Sequence, residues 1–405
     1  MKYIEKLLNG AEVKWMTVEE ISKNISSGGT PRSNVAAYYG GNIPWLRTQE
    51  VNFREIWDTG IKITEEGLNS SSAKYIPANC IIVAMYGATV GRVGINKIPL
   101  TTNQACANIE VNDNIAYYRY IFHYLSSQYE YIKSLGAGSQ TNINAGIVKK
   151  IKVPIPPLYV QEEIVRILDK FTTLEAELEA ELDCRKRQYE YYRNQLLSLD
   201  VIERRQGLNS VSWLTLGEVF ETRNGYTPSK ANAAFWENGT IPWFRMEDIR
   251  ANGGVLKDSI QHVTPQAIKG KGLFMAGSII MATTATIGEH ALILSNALAN
   301  QRFTNFRVRN SMEDKLLTKF VYYYFFVIDE WCKQNVNVSS FPSVEIERLK
   351  KQPFPIPPLA EQQRIVSILD KFEALTTSIS EGLPKEIALR RKQYEYYRNQ
   401  LLSFA

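Results

Sequence analysis

The sequence has few of the features that mark secreted, membrane-bound or zinc-binding proteins. Its four cysteines are far apart and form no C-x-x-C pair: Cys80, Cys106, Cys184 and Cys332. This spacing favours free thiols in a reducing compartment over disulfides or a metal site. The longest strongly apolar run, residues 320–328, is too short to cross a bilayer, and the first residues lack the apolar stretch of a signal peptide. We therefore expect a cytoplasmic protein.

The usual sequence signatures of catalysis are also missing. There is no Walker-type phosphate loop and no Asn/Asp-Pro-Pro-aromatic segment, which an amino-methyltransferase needs at its flipped base. The three histidines suggest no ligand cluster: His123, His262 and His290. The formal net charge of +5 is too small to identify a polyanionic partner by itself. We expect no catalytic residue, metal or cofactor in this chain.

What the chain does contain is an internal repeat. Residues 154–171 (PIPPLYVQEEIVRILDKF) and 355–372 (PIPPLAEQQRIVSILDKF) are identical at 13 of 18 positions. Residues 185–198 and 390–403, which both end in QYEYYRNQLLS, are identical at 12 of 14. Shorter motifs, including I-P-W, A-T-x-G and N-Q, recur at an offset of 197 to 198 residues. The chain therefore alternates a variable region with a similar helical segment, twice.

The strongly repeated segments have the hydrophobic spacing of long helices. Apolar residues recur in steps of three and four along residues 164–182, which is typical of a coiled-coil seam. A helix over residues 161–199 would be roughly 58 Å long, more than a single small domain needs. In the second copy, Gly382 and Pro384 predict a break or kink before a helical piece that ends at Leu402.

The variable regions predict a mixed fold. Short apolar segments at 80–86 and 278–282 predict buried strands, and residues 117–133 and 315–333 predict amphipathic helices. The fold class is therefore α/β (mixed α+β), pseudo-two-fold and circular in organisation, because residues 3–8 look like the tail of a repeated helix. The two helices can cover each other's apolar faces if they run antiparallel; the alternative is that each folds onto its own domain. The predicted boundaries are 1–158 and 200–359 for the globular domains and 159–199 and 360–405 for the helices.

These features together resemble the specificity subunit of type I restriction-modification systems, most closely the type IC subfamily. The resemblance is carried by the two PIPPLxxQxxIVxILDKF segments, the LEAELEAEL tract at 174–182 and the two QYEYYRNQLLS segments, and it spans the chain. It implies two target-recognition domains that each read one half of a split double-stranded DNA site, with the helical pair setting the spacer.

The resemblance also implies partners. Two methyltransferase subunits would dock on this chain, and two ATP-driven restriction subunits would join through them. S-adenosylmethionine, ATP and Mg would belong to those partners and not to this chain.

The candidate DNA-contacting residues are polar side chains beside the repeated motifs, where loops can present them to base edges or phosphates. In the first domain they are Thr30, Arg32, Arg47, Gln49, Tyr86, Arg92, Asn103, Gln104, Gln140 and Asn142. In the second they are Tyr226, Thr227, Lys230, Arg245, Glu247, Thr283, Thr284, Gln301, Arg302 and Ser340. For each of them, an ordinary turn or surface role is the alternative.

Corresponding positions in the two domains carry unlike side chains: Gln49 and Glu247, Tyr86 and Thr284, Ala105 and Arg302. We therefore expect unlike half-sites and an asymmetric bipartite target.

The nearly identical segments 185–193 and 390–398 predict docking of two copies of one protein partner, because Tyr and Arg dominate interface hot spots. The candidates are Tyr189, Tyr192, Arg193, Tyr394, Tyr397 and Arg398. The alternative is that these side chains pack the helices against each other.

Two other functions compete with DNA reading. Methylation of DNA by the purified chain with S-adenosylmethionine alone would establish an enzyme. A coiled-coil tether that binds only proteins would show no sequence preference in a gel shift of the methyltransferase complex with random duplexes.

The LEAELEAEL tract yields a first testable prediction. A four-residue insertion after Leu182 lengthens the helix by roughly 6 Å and turns its face by only about 40°, so the seam survives. Since B-DNA rises about 3.4 Å per base pair, the spacer should grow by about one or two base pairs. Methylome sequencing of cells that carry the variant measures this, and an unchanged spacer would contradict the idea.

Overall fold

The computed structural model describes residues 3–136, 142–198, 202, 211–270, 272–337, 342–377 and 381–404. The chain divides into two compact units. Unit 1 comprises Met1–Glu177 and Ile387–Ala405, and unit 2 comprises Leu178–Glu386. No helix in the described part of the chain has the length and hydropathy that a membrane span requires.

Unit 1 contains short strands, short helices and the first half of one long helix. Its strands are β1 Lys14–Thr17, β2 Ser22–Ser27, β3 Tyr39–Leu46, β4 Glu55–Ile56, β5 Lys62–Ile63, β6 Ile81–Ala84, β7 Val93–Asn96, β8 Thr101–Thr102, β9 Cys106–Val111 and β10 Lys152–Ile155. Its helices are α1 Tyr3–Leu8, α2 Glu65–Asn69, α3 Tyr118–Ser127, α4 Tyr129–Ser134, α5 Ala145–Lys150 and the start of α6 Leu158–Leu196.

Unit 2 repeats this order. Its strands are β11 Ser212–Thr215, β12 Phe220–Asn224, β13 Ile241–Phe244, β14 Val255–Leu256, β15 His262–Val263, β16 Ile279–Ala282, β17 His290–Ile293, β18 Leu298–Ala299, β19 Phe303–Val308 and β20 Pro353–Ile356. Its helices are α7 Leu216–Val219, α8 Met246–Asn252, α9 Thr318–Gln334, α10 Ile346–Lys350 and α11 Leu359–Thr377. The last helix, α12 Gly382–Leu401, begins in unit 2 and lies mostly in unit 1.

The two units have the same sheet topology. In unit 1 the strand orders are β2-β9-β6-β7-β4, β5-β3-β8 and β1-β10. In unit 2 they are β12-β19-β16-β17-β14, β15-β13-β18 and β11-β20. Even the parallel pairings recur, with β4 beside β7 and β14 beside β17. The internal repeat of the sequence is therefore a repeat of the fold.

The predicted elements are confirmed with shifted ends. The long helix runs from Leu158 to Leu196, three residues earlier than expected at both ends. The single helix expected over 117–133 is two helices that meet at Gln128. In the second copy the break lies ahead of Pro384, which stands in the first turn of α12, where a proline needs no hydrogen-bond partner.

Within unit 1, the first half of α6 packs on α12. The ring of Phe171 stacks on that of Tyr397 with centroids 5.2 Å apart, and Glu175 pairs with Arg391 one turn further along. Because the α6 numbers rise while the α12 numbers fall, these two segments are antiparallel. The first turns of α6 pack instead on the unit's own sheet-containing core, through Ile164 and its neighbours. Helix α6 therefore packs on its own domain over its first turns and on the other long helix further along, so both predicted alternatives occur.

The stacked pair recurs in unit 2. There Phe372 of α11 stacks on Tyr192 of α6, with ring centroids 5.5 Å apart, and on Tyr189 at 6.3 Å. The seam is therefore built twice from the same residue types.

The two units fill one core position in different ways. In unit 1, Ile4 of α1 is buried in the same core as Leu401 and Leu402 from the other end of the chain. In unit 2, the buried Ile202 follows Leu197 after a few residues and lies in the corresponding core. The circular organisation that the sequence predicts is thus visible in the packing.

A polar network ties α3 to both long helices within unit 1. Arg119 donates from Nε and Nη2 to the carboxylate of Asp169, at 2.6 and 2.8 Å, and also pairs with Glu55. His123 donates from Nε2 to Asp169 at 2.8 Å and accepts at Nδ1 from the hydroxyl of Tyr394 at 3.0 Å. Burial lowers the pKa of His123, which favours the neutral ring that can play both roles.

Asp169→Asn should destabilise unit 1. The variant removes the charged acceptor of His123 and leaves Arg119 with Glu55 as its carboxylate partner. We expect a loss of about 1–3 kcal/mol in the free energy of unfolding. Urea denaturation of the full chain measures the loss. The control is Asp183→Asn on the same helix, which removes an exposed ion pair to Arg187 and should change little. Equal midpoints for both variants would contradict the anchoring role.

Candidate nucleic-acid interface

In unit 1, backbone hydrogen bonds hold several loops together at one end of the strands. The bonds run from Gly29 N to Thr102 O, from Asn103 N to Leu46 O, from Met85 N to Ala105 O and from Ile143 N to Met85 O. The loops after β3, β6 and β8 are thereby joined to the loop after β2 and to the segment before α5. Most of the predicted DNA-contacting residues of the first domain lie on these loops.

Unit 2 joins the equivalent loops by equivalent bonds. They run from Tyr226 N to Ala299 O, from Asn300 N to Phe244 O, from Thr283 N to Arg302 O and from Val344 N to Thr283 O. Each unit therefore presents one surface made of loops that are distant in sequence, and the predicted residues of the second domain gather there.

A threonine–glutamine pair occupies the same place in both loop sets. The hydroxyl of Thr30 donates to Oε1 of Gln104, and that of Thr227 donates to Oε1 of Gln301. A Cβ at Gly28, just ahead of Thr30, would come within 1.9 Å of the Thr102 carbonyl oxygen. The loop can approach β8 closely only because this residue is glycine.

The asparagine of each N-Q motif has a structural role. Oδ1 of Asn103 accepts the backbone N–H of Ala105 at 3.2 Å, and Oδ1 of Asn300 accepts that of Arg302 at 3.0 Å. These side chains shape the turn and leave the following glutamine exposed. Asn103 is therefore better explained as a turn residue than as a base contact.

An arginine follows the I-P-W motif in each unit and begins a short helical turn. The backbone N–H of Arg47 donates to Glu50 at 3.3 Å, and that of Arg245 donates to Asp248 at 2.6 Å. The Nε atoms of Arg47 and Arg245 are buried and make no hydrogen bond in the described part of the chain. Each still lies 3.7 Å from a carboxylate oxygen, that of Glu50 in unit 1 and that of Glu247 in unit 2. An unsatisfied charged donor at this surface is suited to an incoming acceptor.

The remaining candidates differ in how accessible they are. The exposed ones are Arg32, Gln49, Tyr86, Lys230, Glu247 and Arg302. Thr284 is half-buried. Arg92 is half-buried and donates to Asn52 at 3.0 Å, and Asn142 accepts the backbone N–H of Gly87 at 3.2 Å. Gln140 and Ser340 lie outside the described residues.

Two candidates in the second domain belong to the protein's own structure. Thr283 is 5% exposed, and its hydroxyl is 2.9 Å from that of Thr304, so it is better explained as part of the fold than as a DNA contact. The hydroxyl of Tyr226 donates to the Ala267 carbonyl at 2.9 Å and accepts the Lys269 N–H at the same distance. With both functions of the phenol satisfied, Tyr226 stabilises its loop.

The described part of the chain contains no group of three or more His, Cys, Asp or Glu side chains that could hold a metal ion. Each histidine instead bonds one aspartate: His123 to Asp169, His262 to Asp258 and His290 to Asp329.

The repeated tyrosine segments are divided between core and surface. Tyr189 is buried and Tyr394 is partly buried. Burial raises the pKa of each phenol to about 12. Tyr192 and Tyr397 stack on the seam and remain 44% exposed. The sequence assigned all four to partner docking. Tyr189 and Tyr394 pack with the core clusters of the two units, so they are better explained as part of the fold.

The sequence interpretation missed the residue between them. Tyr191 and Tyr396 are 60% and 62% exposed and pack only edge-on against the next tyrosine. The guanidinium of Arg193 lies 4.1 Å from the ring centroid of Phe326, and that of Arg398 lies 5.4 Å from the ring of Tyr394. Helical spacing could have predicted this exposure. Residues 189, 192 and 196 continue the apolar seam, and residue 191 lies outside it.

Comparison with known proteins identifies the family. A family model described as the type I restriction modification DNA specificity domain matches residues 11–183 and again residues 211–389. The chain therefore belongs to the family of type I restriction-modification specificity subunits, and its two matches coincide with the two copies of the repeat.

Curated relatives carry the same description. The EcoprrI specificity subunit of Escherichia coli is 51% identical over 201 residues, which are 48% of this chain and 50% of that protein. The EcoR124I/EcoR124II specificity subunit of Escherichia coli is 34% identical over an alignment of 428 residues, which covers 100% of this chain and 97% of that protein.

Solved structures share the fold. The S subunit of a type I restriction-modification system from M. genitalium superposes with a TM-score of 0.55 at 16% identity, over 98% of both chains. A chain from a structure of complex assembly and conformational transition in the type I R-M system gives a TM-score of 0.63 at 16% identity, over 96% of this chain and 97% of that one. The predicted mixed α/β class with two sheet-containing domains and a long helix is confirmed.

Proposed function

We propose that this chain reads an asymmetric bipartite DNA target, with each unit recognising one half-site. The observation that carries the proposal is the repeated loop surface. The same backbone bonds hold the same loops in both units, yet the side chains on those loops differ between the halves. A common framework with unlike polar side chains is suited to reading two unlike sequences.

The side chains on these loops have the chemistry of base recognition. Arginine can bond two acceptors on guanine, and glutamine can bond both the acceptor and the donor on adenine. Arg47 and Arg245 have Nε donors that make no hydrogen bond in the described part of the chain. Gln49 and Glu247 stand exposed two residues later. Gln104 and Gln301 are already oriented by their threonines, so recognition would cost less side-chain entropy.

We propose that the long helices set the spacer between the half-sites. Helix α6 is 39 residues long without a break, and its LEAELEAEL tract forms a regular part of it. An uninterrupted helix transmits a change in length directly to its ends. The alternative, a solvated acidic helix without a spacing role, is tested by the insertion described above.

We propose that the chain itself has no catalytic role and that methyltransferase subunits dock on the repeated tyrosine segments. The support is the pair of exposed tyrosines at equivalent positions, Tyr191 and Tyr396. Two equivalent patches suit two copies of one partner, and restriction subunits would join through them. S-adenosylmethionine, ATP and Mg would act in those partners. The type IC assignment stays a prediction.

Methylome sequencing tests DNA reading directly. Cells that carry this subunit with its methyltransferase partner should show modified adenines at one split sequence with unlike halves. A symmetric target, or no sequence preference at all, would contradict the proposal; the latter result would favour the protein tether.

Exchanging one pair of reading residues should alter one half-site at a time. Gln49→Glu replaces a side chain that donates and accepts with one that only accepts, and Glu247→Gln does the reverse. Each variant should shift base preference by about 10- to 100-fold at one position of its own half-site, measured by methylome sequencing. The two variants control each other, and a change in both halves from one substitution would contradict separate reading.

Removing the exposed tyrosines should weaken partner assembly without loosening the chain. Tyr191→Ala with Tyr396→Ala should reduce methyltransferase binding by about 30-fold or more per site, as for a hot-spot residue, with an unchanged melting temperature. Size-exclusion chromatography and calorimetry provide the measurements.

The matched control for the exposed tyrosines is Tyr192→Ala with Tyr397→Ala. Unlike the first variant, this one should lower the melting temperature, because both rings stack on the seam. Full assembly by the Tyr191/Tyr396 variant would reject the docking site.

A further inference from the structure

Unit 2 contains a groove that none of the proposed reading residues lines. It has a volume of about 580 Å³ and follows strands β12 and β19. Four of its lining side chains are cationic and one is anionic: Arg223, Arg307, Arg309, Lys350 and Glu221. Lys350 pairs with Glu347 at 2.8 Å, so the three arginines dominate the charge of the groove.

The arginines are held in place, and the ion pairs that two of them make are long. Arg307 donates from Nη2 to Oδ1 of Asn310 at 3.3 Å, and the same nitrogen lies 3.8 Å from Glu313. Arg309 donates from Nη2 to the Gly217 carbonyl at 3.0 Å, while its Nη1 lies 3.7 Å from Glu221. Arg223 has no hydrogen-bond or ion-pair partner in the described part of the chain, and its guanidinium lies 4.6 Å from the ring centroid of Phe274. Burial lowers the pKa of Arg223, a cost that a bound anion would offset.

The repeat provides an internal comparison for the groove. Arg223 pairs across the strands with Asn305, as Ser26 pairs with Asn108 in unit 1. By the same register, Arg307 corresponds to Glu110.

The third arginine is also absent from unit 1. The Arg309 N–H donates to Val219 beyond the end of β19, just as the Asn112 N–H donates to Ile21 beyond the end of β9. Unit 1 thus has serine, glutamate and asparagine where unit 2 has three arginines. The shared fold does not require these cations.

The groove continues the loop surface of unit 2. Strand β12 ends at Asn224, three residues before Thr227, and β19 begins at Phe303, directly after Arg302. Arg307 and Arg309 are two residues apart, so they are spaced by about 6.6 Å along the chain direction. An extended polyanion that contacts the loops can follow the strands into the groove.

We propose that this groove binds the phosphodiester backbone of DNA that flanks the second half-site, and that unit 1 has no equivalent phosphate-binding site. The inference rests on the proposed function, because it takes the loop surface to be where DNA lies. Arginine is suited to phosphate by its planar, bidentate donors. An acidic protein segment is the rival occupant, and the continuity of the cations with the reading loops favours DNA over it.

The test removes the charges and measures salt dependence. The full chain, assembled with its methyltransferase partners, carries Arg223→Gln, Arg307→Gln and Arg309→Gln. Fluorescence anisotropy over a KCl series should show the slope of log affinity against log salt reduced by about 0.9 for each phosphate that the variant no longer neutralises. Affinity for target and scrambled duplexes should fall by the same factor, so the preference between them stays unchanged.

Two further variants keep the test decisive. Arg223→Gln with Arg307→Gln spares Arg309, which bonds the backbone, and should give about two thirds of the slope change. In unit 1, Ser26→Arg with Glu110→Arg should raise the slope, since it builds the missing cations into the matched positions.

The possible outcomes separate the two proposals. An unchanged slope with intact target binding overturns the groove and leaves the proposed function standing. Failure of the variant to assemble with its partners also overturns it and assigns the groove to an acidic protein segment. A reduced slope in a complex that shows no sequence preference supports the groove and contradicts the reading of bases.

Discussion

The structure depends on covering an apolar helical seam that no single copy of the repeat can cover alone. Phe171 stacks on Tyr397 in unit 1, and Phe372 stacks on Tyr192 in unit 2. Full burial of a large apolar side chain contributes about 1.5–3 kcal/mol, and these stacked rings gain part of that, since Tyr192 and Tyr397 remain 44% exposed. Exposed ion pairs, such as that of Arg187, contribute little because solvent screens them. Apolar burial therefore decides how the helices pair, and the many charges on α6 keep the remaining faces solvated.

The repeat separates what the fold requires from what each half does. Backbone hydrogen bonds join the same loops in both units, and a threonine–glutamine pair recurs at the same place. By contrast, the positions of Gln49 and Glu247 carry unlike side chains on equivalent turns. Features present in both copies belong to the framework, and features present in one copy are where a function specific to that half can be sought.

The sequence was sufficient to predict two units, the long helix and the break near Pro384, because these follow from local periodicity and from repetition. The side chains at the strand ends were harder to place. Thr283 follows β16 by one residue and its hydroxyl turns inward, an orientation that only the pairing with β19 reveals. The exposed tyrosines could have been distinguished from the packed ones in the sequence. The seam spacing that runs from Leu182 to Tyr189 places Tyr191 away from the seam.

The basic groove lay beyond any local pattern. Arg223 is about eighty residues from Arg307 in sequence, and they meet only because β12 pairs with β19. No charge run marks the site, and the net charge of the chain is small. Long-range strand pairing is the type of contact that periodicity cannot predict.

The identical I-L-D-K-F motifs follow from the packing. In unit 1 the motif's Asp169 receives bonds from Arg119 and His123. In unit 2, Asp370 receives a bond from Tyr323 and an ion pair from Lys319.

The donors on α3 and α9 thus differ, while the acceptor on the long helix stays the same. Both carboxylates are partly exposed, at 27% and 43% of the side chain, and such a group can accept bonds from different donors. The aspartate can therefore be retained in both copies of one chain while the domain that packs against it diverges, and a domain can acquire a new reading surface without losing its attachment to the helix.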